Sequence, residues 1–425
     1  MSLSSALNAS VSALKSQSIA LAAVSQNIAN ASTTAYKTTS VSFESLITGG
    51  SSSSAKASGA VTTSVAQNMT QQGQISTTST STNIAISGNG FFVVSDNLEN
   101  TPSAYNYSRN GEFTTDADGY LINNEGYYLL GQKTDENGNV LAVNSNDLNS
   151  LEPIDVTSIS GSAKATSEVT FDLNLPADAA NNSVFETSFE LFDSLGVSHT
   201  VTQTWEKTAA NTWTLTLSDP ALTDDLGTPS GTIAPSTINI TFDGDGNLAS
   251  YSSNAITITG FNTGASDSAF TVDLGTIGRT DGLTQFSSNT DTPDIEISLI
   301  DSDGVRYGQL SSIEIDDTGL VTALFDNGLR QTIYQVPIAT FPNPGGLTHI
   351  NGTVYDENQN AGNYNLRLPG EGNAGTVVAG ALEMSMTDTS EEFNKMIIAQ
   401  QAYSSAAQVV STVSDMFDTL ISSVR

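Results

Sequence analysis

SQNIANASTTAYKTTSVSFESLI, Ser25 to Ile47, is where the first long helical pattern of this chain stops. Asn, Ala, Ser and Thr replace the apolar rhythm, which recovers at Val41, Phe43 and Leu46. A polar string of this kind is poor core material, because each buried hydroxyl or amide needs a hydrogen-bond partner. It reads as a link between two elements. Upstream of it Leu7, Leu14, Leu21 and Ile28 recur every seven residues, and Leu3, Val11 and Val24 widen the row into a stripe of coiled-coil type.

A second stripe closes the chain. In SEEFNKMIIAQQAYSSAAQVVSTVSDMFDTLISSVR, Met396, Tyr403, Val410, Phe417 and Val424 are also seven apart, flanked by Phe393, Ala407 and Ile421. Thr389 and Ser390 offer N-caps, and Glu391 and Glu392 fall in the first turn, where the helix dipole favours acids. The polar faces of both helices are Ser, Thr, Asn and Gln, so intrinsic propensity is modest and i,i+4 ion pairs are few. Such helices need partners to stay folded.

Between the stripes the text changes twice. Residues 50–82 are low in charge and rich in Ser, Thr, Gly and Gln, the composition of an extended connector. From Asn83, NIAISGNGFFVVSD, YSRNGEFTTDADGYLINNEGYYLLG and QKTDENGNVLAV set Gly-containing turns between apolar runs, which predicts hairpins. Strict alternation then marks one-face-buried antiparallel strands at Val169, Phe171, Leu173 and Leu175, at Trp213, Leu215 and Leu217, at Ile238, Ile240 and Phe242, and at Phe270, Val272 and Leu274. After Asp294 the hairpin style returns. The chain goes out and comes back.

The resulting division is a helix over 1–30, an extended linker over 31–82, and a first part of a middle β domain over 83–157. An inserted outer β domain, a barrel or sandwich, follows over 158–290, then the second part of the middle domain over 291–380 and a helix over 381–425. The fold class is mainly β with terminal α-helices, in which the hairpin-rich domain is discontinuous.

The chain has 425 residues, 45 acids against 13 bases and a net charge of −32, which argues against nucleic acid or an anionic membrane as partner. Lys15, Lys37 and Glu44 are the only charged residues of the first 50, so the acidity belongs to the middle. Near-neutral ends suit close packing of chains. No cysteine is present, which removes disulfides, thiol catalysis and Cys-ligated metal. The first 24 residues lack the basic start and continuous apolar run of a Sec signal peptide, and nothing later is long enough to span a bilayer as a helix. An exported chain of this kind would use another route.

Tests for chemistry return little. Asp243, Asp245 and Asn247 open like a calcium loop, but Leu248 stands where Gly is needed and Asn254 where Glu is needed. Asp135, Asn137 and Asn139 fail likewise, ending at Asn146. These segments read as hairpin turns capped by Asp. His199 and His349 are the only histidines, and His199 in SHTVTQTWEK reads as a surface or barrel-edge residue. No catalytic, cofactor or metal residues emerge. A secreted β-rich adhesin or surface-layer subunit explains the acidity and the strands, but not the paired heptads.

SQNIANASTTAYK resembles the motif after the first helix of bacterial flagellar rod and hook proteins, Asn-Asx-Ala-Asn and then Thr, Gly, Tyr, Lys. Asn27, Ala29, Asn30, Thr33, Tyr36 and Lys37 match, and Ala35 stands where Gly is usual. TQQGQISTTSTSTNIAISGNGFFVVSD, YSRNGEFTTDADGYLINNEGYYLLG, GLTQFSS, IATFPNPGGL and the C-terminal helix are similar to the hook members of that family, in the family's order. The resemblance implies a non-enzymatic hook subunit: a self-assembling curved tube that joins rod to filament as a universal joint. It implies that the two terminal helices pair as a coiled coil in the inner layer, with Leu7, Leu14, Leu21, Ile28, Met396, Tyr403, Val410, Phe417 and Val424 at the assembly core. The hairpin unit then forms the middle layer and the insert the outer one. Implied partners are further copies of the chain, the distal rod protein, the hook cap protein, the hook–filament junction protein and the flagellar type III export apparatus. The implied location is the extracellular hook, reached without a cleaved signal. A distal rod subunit is the neighbouring alternative, although rod proteins are shorter and lack the inserted strands.

Overall fold

The computed structural model describes residues 3–46, 60–98, 105–135, 138–141, 147–157, 159, 161–288 and 292–423. They form two compact units, one of Met1–Ser158, Ile313–Ala323 and Gln331–Arg425, the other of Ile159–Ser312 and Leu324–Arg330. Val424 of the C-terminal heptad lies outside the described residues.

In the first unit, helix α1 (Leu3–Ala29) packs along helix α2 (Thr389–Ser423). The start of α2 is capped by Asp388 rather than by Thr389 or Ser390: its Oδ1 accepts from the N–H groups of Ser390 at 2.8 Å and Glu391 at 3.2 Å. A carboxylate there meets both the orphan donors of the first turn and the positive end of the dipole. The polar segment after α1 is no free connector. Strand β1 (Thr39–Leu46) pairs antiparallel with β2 (Ala60–Gln67), from Thr39 opposite Gln67 to Leu46 opposite Ala60, and both strands pack on α1. Thr39, Val41, Val61, Thr62, Thr63 and Val65 lie in these strands, and β-branched residues suit a pleat whether or not they are apolar.

The out-and-back reading is realised in strand pairing. Strand Ile84–Ser87 pairs with Thr376–Ala379, Ile75–Thr77 with Ala381–Glu383, Phe91–Ser95 with Ile338–Thr340, and Tyr105–Ser108 with Val354–Asp356. Each pair joins residues more than 200 positions apart in sequence. The last two pairs share a core that includes Phe91, Val93, Tyr107, Leu130, Phe341 and Tyr355, with Tyr107 and Phe341 edge to face at 4.8 Å.

The second unit encloses one core between a five-stranded and a seven-stranded sheet. Phe171, Trp205, Trp213, Leu215, Ile240 and Phe270 lie in it. Strand Glu296–Ser302 pairs with Glu168–Asn174, and Val305–Ile315 pairs with Gly161–Lys164, so this unit runs to Ser312, beyond the 290 boundary drawn from sequence. The sheets are not wholly antiparallel, since Glu168–Asn174 and Ser268–Asp273 run parallel. His199 is a further correction. It is fully buried, because strand Ser198–Ala209 is hydrogen-bonded on both sides and alternation turns His199, Val201, Gln203, Trp205 and Lys207 inward. Its Nδ1 lies 2.7 Å from Ser230 Oγ and its Nε2 3.1 Å from Asp193 Oδ2.

The Asp243 turn is closed by its own side chain. Oδ1 accepts from the N–H groups of Asp245 and Asn247 at 2.9 and 2.8 Å, and Gly246 takes φ 84°. Asn247's N–H and side chain, with help from the other turn amides, hold the Asp243 carboxyl below the usual carboxylate range.

Candidate functional site

The motif residues converge where α1 ends. Asn27, nearly inaccessible, fills all four of its amide hydrogen-bonding positions: Nδ2 donates to Thr39 O at 3.0 Å and to Glu392 Oε2 at 3.1 Å, while Oδ1 accepts from Thr39 N–H at 2.9 Å and Tyr36 Oη–H at 3.1 Å. It ties α1, β1 and α2 to one side chain. Asn30 closes the helix end, its Nδ2 donating to Gln26 O at 2.9 Å and its Oδ1 accepting from Thr33 Oγ1–H at 3.2 Å. Burial of Tyr36 raises the phenol's pKa, keeping it a donor to Asn27.

Ala35 adopts φ 58°, in the left-handed region that favours Gly, and its methyl is fully buried. That conformation costs an L-residue roughly 1–2 kcal/mol. Two hydrogen bonds hold it: Ala35 N–H donates to Glu383 O at 2.7 Å and Met386 N–H donates to Tyr36 O at 3.2 Å. Ala29, the remaining motif position, ends α1 exposed.

Lys37 is 0% exposed, with Nζ 2.6 Å from both Glu383 Oε1 and Gln71 O. Glu383 also accepts from Gly73 N–H at 2.7 Å and faces Arg109 Nη1 at 3.4 Å. Burial pushes the Lys37 ammonium pKa down, against the attraction of Glu383, and the same opposition acts on Arg109. Sequence reasoning found Lys37 but missed Glu383 and Arg109, and it placed Glu392 in the first turn of α2 without its partner Asn27. The usable signal was chemical: a lysine in a motif of small uncharged residues needs an acid, yet which acid depends on pairing across more than 300 positions.

The assembly residues are placed unevenly. Leu7, Leu14, Leu21 and Ile28 are half-buried, as are Met396 and Val410, whereas Tyr403 and Phe417 are exposed. On α2 the deepest row is offset from the large residues: Glu392, Ala399 and Val413 are buried and Ala406 half-buried. Small side chains let the helices approach closely, and the larger apolar ones are turned away from α1. Phe393, Ile398, Met416, Phe417, Leu420 and Ile421 remain exposed, Phe417 at 36% and Ile421 at 63%. Val24, Val41, Phe43, Ile398 and Ala399 also line an apolar cavity of about 290 Å³ between α1, β1 and α2.

Four family models match along the chain: "Flagella basal body rod protein" over 7–37, "Flagellar hook protein FlgE/F/G D1 domain" over 85–187, "Flagellar basal body protein FlaE D2 domain" over 161–298 and "Flagellar basal body rod FlgEFG protein C-terminal" over 378–423. Terminal helices, motif and inserted strands thus define an axial protein of the flagellar rod and hook class. Among full-length relatives, the flagellar hook protein FlgE of Rhizobium meliloti is 31% identical over 430 residues, covering 100% of both chains. That of Escherichia coli is 28% identical over 428 residues, covering 98% and 99%. The chain belongs to the flagellar hook protein family. A solved structure of Helicobacter pylori flagellar hook protein FlgE2 aligns with a TM-score of 0.48 at 15% identity, over 73% of this chain and 100% of its own.

Proposed function

We propose that this hook subunit self-assembles into a curved tube that transmits torque from rod to filament, with α1 and α2 in its inner layer. The carrying observation is the solvent-exposed apolar row of α2, Phe393, Ile398, Met416, Phe417 and Ile421 among the described residues. Each large side chain there contributes about 1.5–3 kcal/mol when fully buried, and the small-residue seam with α1 leaves that energy unused within one chain. The cavity bounded by Phe43 and Ile398 is a second apolar surface, which no described residue fills.

In this reading Leu7, Leu14, Leu21, Ile28, Met396, Tyr403, Val410, Phe417 and Val424 meet residues of neighbouring copies in a coiled-coil core. Asn27, Asn30, Thr33, Tyr36 and Lys37 fix the exit of the chain from that core into the β units. The discontinuous hairpin domain forms the middle layer, and the inserted domain, acidic and hydrated, makes outer contacts that are individually weak and so able to slide. Rod, hook cap and hook–filament junction proteins meet the tube ends, and the type III export apparatus delivers the chain to its extracellular position. Electron microscopy of the purified chain at high concentration tests this. Tubes are expected, and only monomers under all assembly conditions would refute it.

A further inference from the structure

Lys37 and Arg109 bring two positive charges to the single carboxylate of Glu383, and none of the three is more than 4% exposed. Among the described residues no other acid pairs with either cation. Arg109 is also incompletely bonded: Nη2 donates to Gly88 O at 2.7 Å, Nη1 reaches Glu383 only at 3.4 Å, and Nε–H has no acceptor. An uncompensated charge held away from water is costly, and the cost is relieved by an opposite charge with matching hydrogen bonds.

Arg109 forms one wall of a cavity of about 210 Å³, with Met69, Thr70, Asn89, Phe91 and Asn373 among the other walls. The Phe91 ring covers one face of the guanidinium at 5.3 Å, so a ligand approaches from the remaining side. We propose that this cavity binds a carboxylate, which supplies the missing negative charge beside Arg109. A guanidinium fork matches a carboxylate in plane, and the deficit is one unit, which favours a monoanion. Thr70, Asn89 and Asn373 provide neutral polar groups around it. The carboxylate comes from a free small acid or from an Asp or Glu side chain of a second copy.

The probe is sodium acetate, titrated into the full-length monomer at ionic strength held constant with sodium chloride. Backbone amide resonances of Thr70, Asn89 and Asn373 should shift saturably with acetate and not with chloride. Arg109→Gln should weaken acetate binding about tenfold or more. Because that change also disturbs Glu383, Asn373→Leu at the exposed rim is the second variant, expected to weaken acetate binding without changing the melting temperature. Repeating the titration on assembled tubes separates the sources: a retained response assigns the site to a free acid, and a lost one to a neighbour's side chain. The monomer result stands whether or not tubes form. No saturable shift, equal shifts in both variants, or a neutral Lys37 amine by nitrogen NMR would overturn the proposal.

Discussion

Replacing Glu383 by Gln tests whether the buried ion cluster holds the hairpin unit to the chain's return strand. The side chains are nearly isosteric, so no cavity opens and the change is one of charge. With the amide oxygen at the Oε1 position, Lys37 Nζ and Gly73 N–H keep an acceptor but Lys37 loses its counter-charge, and Arg109, which faces Oε2, loses its only carboxylate partner among the described residues. Removing one member of a buried pair typically costs about 3–5 kcal/mol. Two stranded cations argue for the upper end, but Lys37 has an escape. Burial already lowers its pKa, and loss of the proton would cap the penalty, so about 3 kcal/mol is expected near neutral pH. With a urea slope of about 2–3 kcal/mol per M, the midpoint should fall by about 1–1.5 M.

Both tryptophans, Trp205 and Trp213, lie in the second unit, so their fluorescence should hold its midpoint while tyrosine fluorescence or far-ultraviolet dichroism reports the loss. The pH dependence has a definite sign. In the variant a folded-state Lys37 pKa below the unfolded value of about 10.4 means that the folded state binds fewer protons in that window, so stability should climb as pH rises towards it. A loss under about 1 kcal/mol, or a lost tryptophan midpoint with an intact tyrosine signal, would refute the assignment of the cluster as the clamp.

Phe417→Asp and Ile421→Asp should leave the monomer's melting temperature within about 1 °C, since both residues are exposed, yet abolish tubes; normal tubes from both would remove α2's outer row from the assembly core. Asp303 would be raised by its partial burial, but Ser167 Oγ–H, the N–H groups of Ser167 and Glu168, and Lys164 outweigh this and hold it to about 2. Its contribution, about 1 kcal/mol after solvent screening, is present above pH ~4 and lost as pH falls towards 2. Asp303→Asn should therefore flatten the acid limb of the second unit's stability, and an unchanged acid limb would count against it. At the alkaline end, burial and then Glu357 raise the pKa of Tyr107, whose phenol stays protonated in the folded state. Stability present below pH ~10 should fall above it, with tyrosinate absorbance rising cooperatively with unfolding; a gradual rise in a still-folded chain would show that Tyr107 is reached by solvent.

Periodicity made the two terminal helices legible, and turn chemistry the hairpins, because both are written in residues fewer than ten positions apart. Leu7 to Ile28 and Trp213 to Leu217 read correctly for that reason. The motif at Asn27 to Lys37 was legible as a motif, but its physics was not: Asn27 works through Thr39 and Glu392, and Lys37 through Glu383, partners that only the return of the chain supplies. The helix seam shows the same division. Seven-residue spacing marked the rows, yet which row faces inward was set by closeness of approach, which favoured Ala399 and Ala406 and turned Phe417 outward. His199 looked like an edge residue until pairing on both sides of its strand buried it against Asp193 and Ser230. Sequence alone determined the terminal helices, the hairpins and the alternating strands in their order, since local propensity and pattern are short-range. It read 31–82 as an extended linker and missed the strand pair Thr39–Leu46 and Ala60–Gln67, which packs on α1. Burial of charge, the partner of each buried polar group and the face a helix presents depend on contacts between distant segments, and those only the tertiary structure decided.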